Sequence, residues 1–188
     1  DGYALVESAE ASDASPYGRM KGFHGQFGVF VRTLSYMMSM GADGLAQAAS
    51  DAVLSANYIL AGLSDDLTLS YEGPCMHEVL FDDRFLAETE VTTLDFAKAM
   101  IDEGVHPMTM YFPLVVHGAL LMEPTETESL ASLDQYIGMV KSLARRAKQG
   151  EVAAFKEAPR LAPRRRLDET TAARNPVLRW LPGDKAAA

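Results

Sequence analysis

Residues 122–129, MEPTETES, put Glu123, Glu126 and Glu128 beside a proline, between an apolar run and a helix-like stretch. Three carboxylates this close suit acid–base work or cation binding. Part of the cluster has a plainer use, because Thr125 and Glu128 fit the S/T-x-x-E capping box, in which each side chain satisfies an orphan backbone N–H of a helix start. Glu126 and Glu128 therefore rank behind Glu123 as candidates for chemistry. The histidines at 24, 77, 106 and 117 are scattered, and none has a second four residues on, as H-E-x-x-H would require. If CMHE, residues 75–78, is part of a strand, Cys75 and His77 share one face and Glu78 the other. That gives two soft ligands where a catalytic zinc takes three, and no metal site is expected. No G-x-S-x-G elbow is present, and Cys75 shows no local sign of activation. Gly22, Gly25 and Gly28 are too loosely spaced, and follow no strand, for a phosphate loop.

The elements that must position these residues are legible from periodicity. Phe23, Phe27, Phe30, Val31, Leu34, Met37 and Met38 recur at helical steps up to Gly41, a natural C-terminal stop. After Asp43 as an N-cap, a second stripe runs through Leu45, Ala48, Ala49, Ala52, Val53, Ala56, Ile59, Leu60 and Leu63. The period then falls to two. LTLSY (67–71) and CMHEVLFD (75–82) read as half-buried strands joined across Glu72, Gly73 and Pro74. A short helix follows, capped by Thr92 or Thr93, with Leu94, Ala97, Met100 and Ile101 inward and Gly104 as its stop. MTMYF and ALLM are the next strands, and Pro113 bars an uninterrupted central strand. The helix after the carboxylates shows Leu130, Leu133, Ile137, Val140, Ala144 and Ala147 as a seam, acids in its first turn and bases in its last. A further short helix is expected between Gly150 and Pro159, and an extended tail after it. The order implies an α+β fold: a small, largely antiparallel sheet with helices on one face.

At 188 residues, 48% hydrophobic and 23% charged, the chain has the composition of one globular domain with appendages. The longest apolar stretch is interrupted by Pro113, His117 and Gly118, and no membrane span is expected. Cys75 is the only cysteine, which excludes an internal disulfide and points to a reducing compartment. The chain opens on Asp1 with no basic-then-apolar leader, so it is expected to begin inside a longer gene product or after processing. Residues 1–150 carry 9 basic and 21 acidic side chains, and 151–188 carry 8 and 5. An acidic body thus trails a basic tail. The PRRRL run at 163–167 has no interleaved aromatics, so a tail docking on the acidic body is preferred to nucleic-acid binding.

In order, the blocks GRMKGFHGQFGVFVRTLSYMMSMGADGL, AVLSANYILAGL, PCMHEVL, VTTLDFAKAMIDEGVHPMTMYFPL, EPTETES and RRLDETTAARNPVLRW closely resemble the C-terminal part of glycine dehydrogenase (decarboxylating). This is the P-protein of the glycine cleavage system, and the resemblance is to subunit 2 of its split form. Met108 departs from the pattern, standing where the family commonly has a second proline, and so does the His117–Gly118 pair. The resemblance implies the C-terminal small domain of a fold-type-I enzyme dependent on pyridoxal phosphate. The parent decarboxylates glycine and passes the aminomethyl group to the lipoyl arm of the H-protein. The family's cofactor lysine lies in a His-Lys context upstream of the residues matching GRMKGF. None of Lys21, Lys98, Lys141, Lys148, Lys156 and Lys185 has that context. No catalytic or cofactor-binding residue is therefore expected in this chain, no bound cofactor, and no activity from the fragment alone.

The resemblance also implies a division into a linker over 1–17, the small domain with its interdomain helices over 18–158, and a tail over 159–188. Polar residues in the matched blocks supply the substrate-facing candidates Arg32, His77, Thr109, Tyr111 and Glu123. Duller roles stand beside these: an ion pair for Arg32, a strand cap for His77, a core position for Tyr111, a backbone contact for Glu123. Expected partners are the remainder or other subunit of the P-protein, the H-protein, and a second copy through the apolar helix at 23–38. The location implied is cytoplasmic in a bacterium and mitochondrial in eukaryotic relatives. The competing reading is an independent small-ligand-binding or assembly module.

Overall fold

The computed structural model describes residues 22–179. The expected linker, Lys21, Trp180 and Lys185 lie outside the described residues. Contacts divide the chain into two units, residues 1–45 and 46–188. Helix α1, Phe27–Leu63, begins in the first and ends in the second. Inside it Gly41 takes φ 64° and ψ −177°, a pair that only glycine adopts without strain, so the expected stop appears as a kink.

In the first unit, α1 displays Phe27, Val29, Phe30, Val31, Leu34, Tyr36, Met37 and Met38, all exposed, Phe27 at 78% and Met38 at 76%. An exposed apolar surface of this kind is the mark of an interaction face.

In the second unit the expected stripe narrows to Ala56, Ile59 and Leu63 as its fully buried members. At Gly62 α1 meets the next long helix closely, since a Cβ there would lie 2.7 Å from Cδ1 of Ile137. Strands β1 (Thr68–Leu69), β2 (Val79–Asp82), β3 (Thr109–Met110) and β4 (Leu120–Met122) form a sheet of order β1-β2-β4-β3, antiparallel throughout. In register, Val79 faces Met122 and Phe81 faces Leu120, and these four are buried. Leu80 and Leu121, pointing the other way, are half-buried, as the period of two requires. The buried face joins Phe96 and Met100 of α2 (Thr93–Asp102), Leu133, Val140 and Leu143 of α3 (Leu130–Lys148) and Phe155 of α4 (Val152–Glu157) in one core. Phe96 anchors it, meeting Phe85 edge-on at 5.5 Å and Phe155 stacked at 6.3 Å. The α+β architecture with a small antiparallel sheet is therefore as expected.

Several local expectations are corrected. The expected inward set of α2 omits Phe96, whereas Leu94 and Ile101 are only half-buried. The start of α3 is one turn later than the Thr125–Glu128 pattern implies: Ser129 is the N-cap and accepts from the Ser132 N–H. Residues 125–128 form a turn in which the Glu128 N–H bonds to the Thr125 carbonyl, so no acid sits in the first turn of α3. Leu130, expected in the seam, is 62% exposed, and Leu143 takes its place in the core. The tail is not wholly extended, because Asp168 caps a fifth, short helix, α5 (Glu169–Arg174), by accepting from the Thr171 N–H. It also docks on the acidic body: Arg166 reaches Asp95 at 2.8 Å, and Asp102 accepts from the backbone N–H groups of Arg160 and Leu161. Among the described residues no helix is long and apolar enough to cross a membrane.

Candidate functional site

The CMHE segment is a loop leading into β2, not part of a strand. Asn57 of α1 holds it, donating to the Cys75 carbonyl at 2.7 Å and accepting from the Cys75 N–H at 3.1 Å. Backbone groups occupied this way have no strand neighbour to pair with. The antiparallel register of Val79 with Met122, carried one step further, sets Glu78 opposite Glu123. His77 joins them, with Nε2 4.0 Å from a carboxylate oxygen of each. The three ligand atoms lie within 4.8 Å of one another, making the sole candidate metal-holding group of three among the described residues. Cys75, one of the two ligands the local motif offered, is not in this group; Glu78 takes its place, and the strand register is the signal that brings in Glu123. Zinc at 2.0–2.2 Å from each ligand would require separations of roughly 3.4 Å, so the side chains would have to close inward.

Glu123 also belongs to a cavity of about 590 Å³. Buried Ile59, Met122 and Leu133 line its inner wall, and exposed Thr109, Glu123 and Glu128 its rim. Glu128 accepts from the Ser132 hydroxyl at 2.7 Å. Tyr136 lines the cavity too, and burial pushes its phenol well above the ordinary tyrosine range, so the hydroxyl stays protonated.

The sequence candidates thus separate. His77 and Glu123 are neighbours, and Thr109 shares the cavity with Glu123. Tyr111 follows β3 and is 45% exposed, so it is not a core residue. Its backbone takes φ 59°, uncommon for a bulky residue, while its hydroxyl accepts from the Leu94 N–H at the start of α2. Arg32 is exposed on α1 in the first unit. Sequence reasoning missed Asn57, whose part depends on a contact across 18 residues.

The described side chains do not fit a pyridoxal phosphate site. No lysine lines the cavity, nor a second one of about 390 Å³ beside Arg146 and Phe155. Lys141 and Lys148 are tied to Asp66, and Lys156 to Asp95.

A family model described as "Glycine dehydrogenase, C-terminal domain" matches residues 48–163. The chain belongs to this family. It is 62% identical over 184 residues, 97% of its length, to a protein of Caulobacter vibrioides named probable glycine dehydrogenase (decarboxylating) subunit 2, covering 35% of that protein. Proteins of the same name from Kosmotoga olearia and Staphylococcus haemolyticus are each 46% identical, over 98% and 87% of the chain and 38% and 33% of their own lengths. This glycine dehydrogenase C-terminal domain chain thus spans about a third of the curated relatives it matches.

Proposed function

We propose that the chain acts as the C-terminal small domain of a decarboxylating glycine dehydrogenase, the P-protein of the glycine cleavage system. The observation that carries this reading is 62% identity to a subunit 2 protein over nearly the whole chain. Glycine decarboxylation, with transfer of the aminomethyl group to the lipoyl arm of the H-protein, belongs to the assembled enzyme. In this reading pyridoxal phosphate, which supplies an electron sink for decarboxylation, is held by the portion of the relatives that this chain does not match. The fold is that of the small domain of a fold-type-I enzyme, extending over residues 18–158 with a tail over 159–188 and a linker over 1–17. The chain by itself is inactive.

What this chain contributes is a rigid floor and polar groups. His77, Thr109 and Glu123 gather at the sheet end and the cavity rim, and Arg32 and Tyr111 are the remaining substrate-facing candidates. The exposed apolar face of α1 supports a partner surface, either for the other portion of the enzyme or for a second copy. A bacterial parent would work in the cytoplasm.

The test is reconstitution. The purified chain is mixed with the matching N-terminal portion of a subunit 2 protein, the companion subunit, pyridoxal phosphate and lipoylated H-protein, and glycine-dependent CO2 exchange is measured. Exchange only when this chain is present supports the reading. Equal exchange without it, or turnover by this chain alone, overturns it.

A further inference from the structure

Residues 71–78 join β1 to β2 without helix or strand, and they carry His77 and Glu78 to the sheet end. Regular backbone pairing stops on either side of them, at the Ser70 N–H bonded to the Leu80 carbonyl and at Val79 opposite Met122. Between these points, among the described residues, the only hydrogen bonds to the loop's backbone come from one side chain, Asn57 of α1. Its Nδ2 donates to the Cys75 carbonyl at 2.7 Å and to the Val53 carbonyl at 2.8 Å, and its Oδ1 accepts from the Cys75 N–H at 3.1 Å. With both amide donors and the acceptor used, the side chain is held in one orientation. Asn57 stands beside the buried Ala56 and Ile59, and Cys75 packs against the core, so the clamp ties the loop to the fixed part of the fold. His77 lies midway between this clamp and the strand pairing at Val79, two residues from each.

We propose that Asn57 is a positioning residue for the substrate-facing group: by clamping Cys75 to α1 it fixes His77 beside Glu78 and Glu123. The proposal rests on the reading of His77 as substrate-facing. Asn57 itself touches no substrate in this scheme and acts through His77. The ring cannot hold itself in place, because it is more than half exposed and its Nε2 is 4.0 Å from the nearest oxygen of either glutamate. With the clamp, only residues 76–78 run free between fixed points. Without it, the free segment is the whole of 71–78. A longer free segment samples more arrangements and opens at lower cost. A binding group displaced by about an ångström loses much of its effect on a bound substrate.

The experiment has two arms. In the first, the 188-residue chain and its variants are compared by NMR. Asn57→Leu keeps a side chain of similar size and neither bond to Cys75. Backbone order parameters over the loop are expected to fall from about 0.85 to below about 0.6, and the His77 ring signals to move toward those of an unstructured histidine. Cross-strand contacts between Val79 and Met122 should persist. Asn57→Ala repeats the measurement if leucine disturbs the packing. Tyr58→Phe is the control, since it removes a 2.6 Å hydrogen bond to Asp134 from the neighbouring position of α1 and should leave the loop unchanged. A loop that stays ordered in both Asn57 variants, or that loosens equally in Tyr58→Phe, overturns the proposal. The second arm measures glycine KM in the reconstituted enzyme. His77→Ala and Asn57→Leu should each raise it, by about tenfold, and the two together no further than His77→Ala alone. Effects that multiply would show Asn57 acting independently of His77 and overturn the proposal. An unchanged KM in His77→Ala, with the loop loosened in Asn57→Leu, would instead refute the substrate-facing reading of His77, and the positioning role with it, while the clamp on Cys75 stands.

Discussion

Nζ of Lys156 lies 2.6 Å from Oδ2 of Asp95, a carboxylate that is almost wholly buried. The other oxygen of Asp95 takes Arg166 at 2.8 Å, and the Thr92 N–H and hydroxyl complete the set. One aspartate therefore closes the capping box of α2 and also anchors α4 and the tail. Burial alone would raise the pKa of Asp95; Lys156, the Thr92 donors and Arg166 together hold it down at about 2.

A carboxylate depressed in the folded state stabilises above its unfolded pKa and loses that contribution as pH falls through its folded one. For Asp95 the window runs from about pH 4, the unfolded value, down to about pH 2. The loss there should be about 1–2 kcal/mol, discounted for the partial exposure of Lys156. Asp95→Asn should cost about 2–3 kcal/mol at neutral pH, because it strips two cations of their partner and weakens the cap. Urea midpoints measured from pH 6 to pH 2 check both claims. Curves for the two proteins that stay parallel through the acid range would refute the assignment.

Gly118 holds φ 58° directly against Asp83, and a Cβ at 118 would run into the Asp83 side chain. Its carbonyl accepts from the buried Thr93 hydroxyl, so the loop cannot swing away without cost. Gly118→Ala should destabilise by about 2 kcal/mol, from left-handed strain and overpacking together. Asp83→Gly in the same background, which removes the Asp83 Cβ that the new methyl would run into as well as the carboxylate, should recover the packing part and leave the backbone part. Recovery to full stability would mean that the backbone conformation carries no cost.

His117 makes a hydrogen bond to the same Asp83 at 3.0 Å, which raises its pKa above the ordinary histidine value. The pair's contribution is present below that ordinary value and fades as pH rises through the raised one. In an NMR titration of the imidazole the midpoint should lie above about 6.5 and fall back in Asp83→Asn. An unchanged midpoint in the variant would break the link between the two residues.

How far the sequence reaches is seen in the contrast between α2 and the site. Thr92 and Asp95 are three apart, so their capping box is local and readable, whereas the Lys156 and Arg166 that complete it come from 61 and 71 residues away. Gly41 was readable as a break because one residue's backbone freedom decides it. The start of α3 was misread since Thr125 and Ser129 each offer a cap, and the choice falls to the one whose hydroxyl meets Ser132. The CMHE segment reads as strand because the apolar Cys75 and Met76 sit just ahead of the apolar Val79–Phe81 run, while the Asn57 clamp that occupies the Cys75 backbone is nonlocal. Glu123 was identifiable as a candidate from its type and setting. Its nearness to His77 depends on β2 pairing with β4, which propensity does not encode.

The exposed apolar face of α1 yields the last prediction. Phe27, Phe30, Leu34 and Met38 follow one another at steps of three and four, so they lie along one side of the helix, and all four are at least half exposed. Water contact with such a row is unfavourable by about 25 cal/mol per Å² of apolar surface, and association is the way to remove it. Sedimentation of the chain alone should therefore show a mass above the monomer's that rises with concentration. Phe30→Lys with Leu34→Lys should return it to a monomer with unchanged thermal unfolding of the sheet-bearing unit, since neither residue belongs to that unit's core. Adding the N-terminal portion of a subunit 2 protein should compete with self-association for the same face, and the double variant should fail to bind it. A wild-type chain that stays monomeric at every concentration and still binds that portion would assign the face to the other part of the enzyme alone.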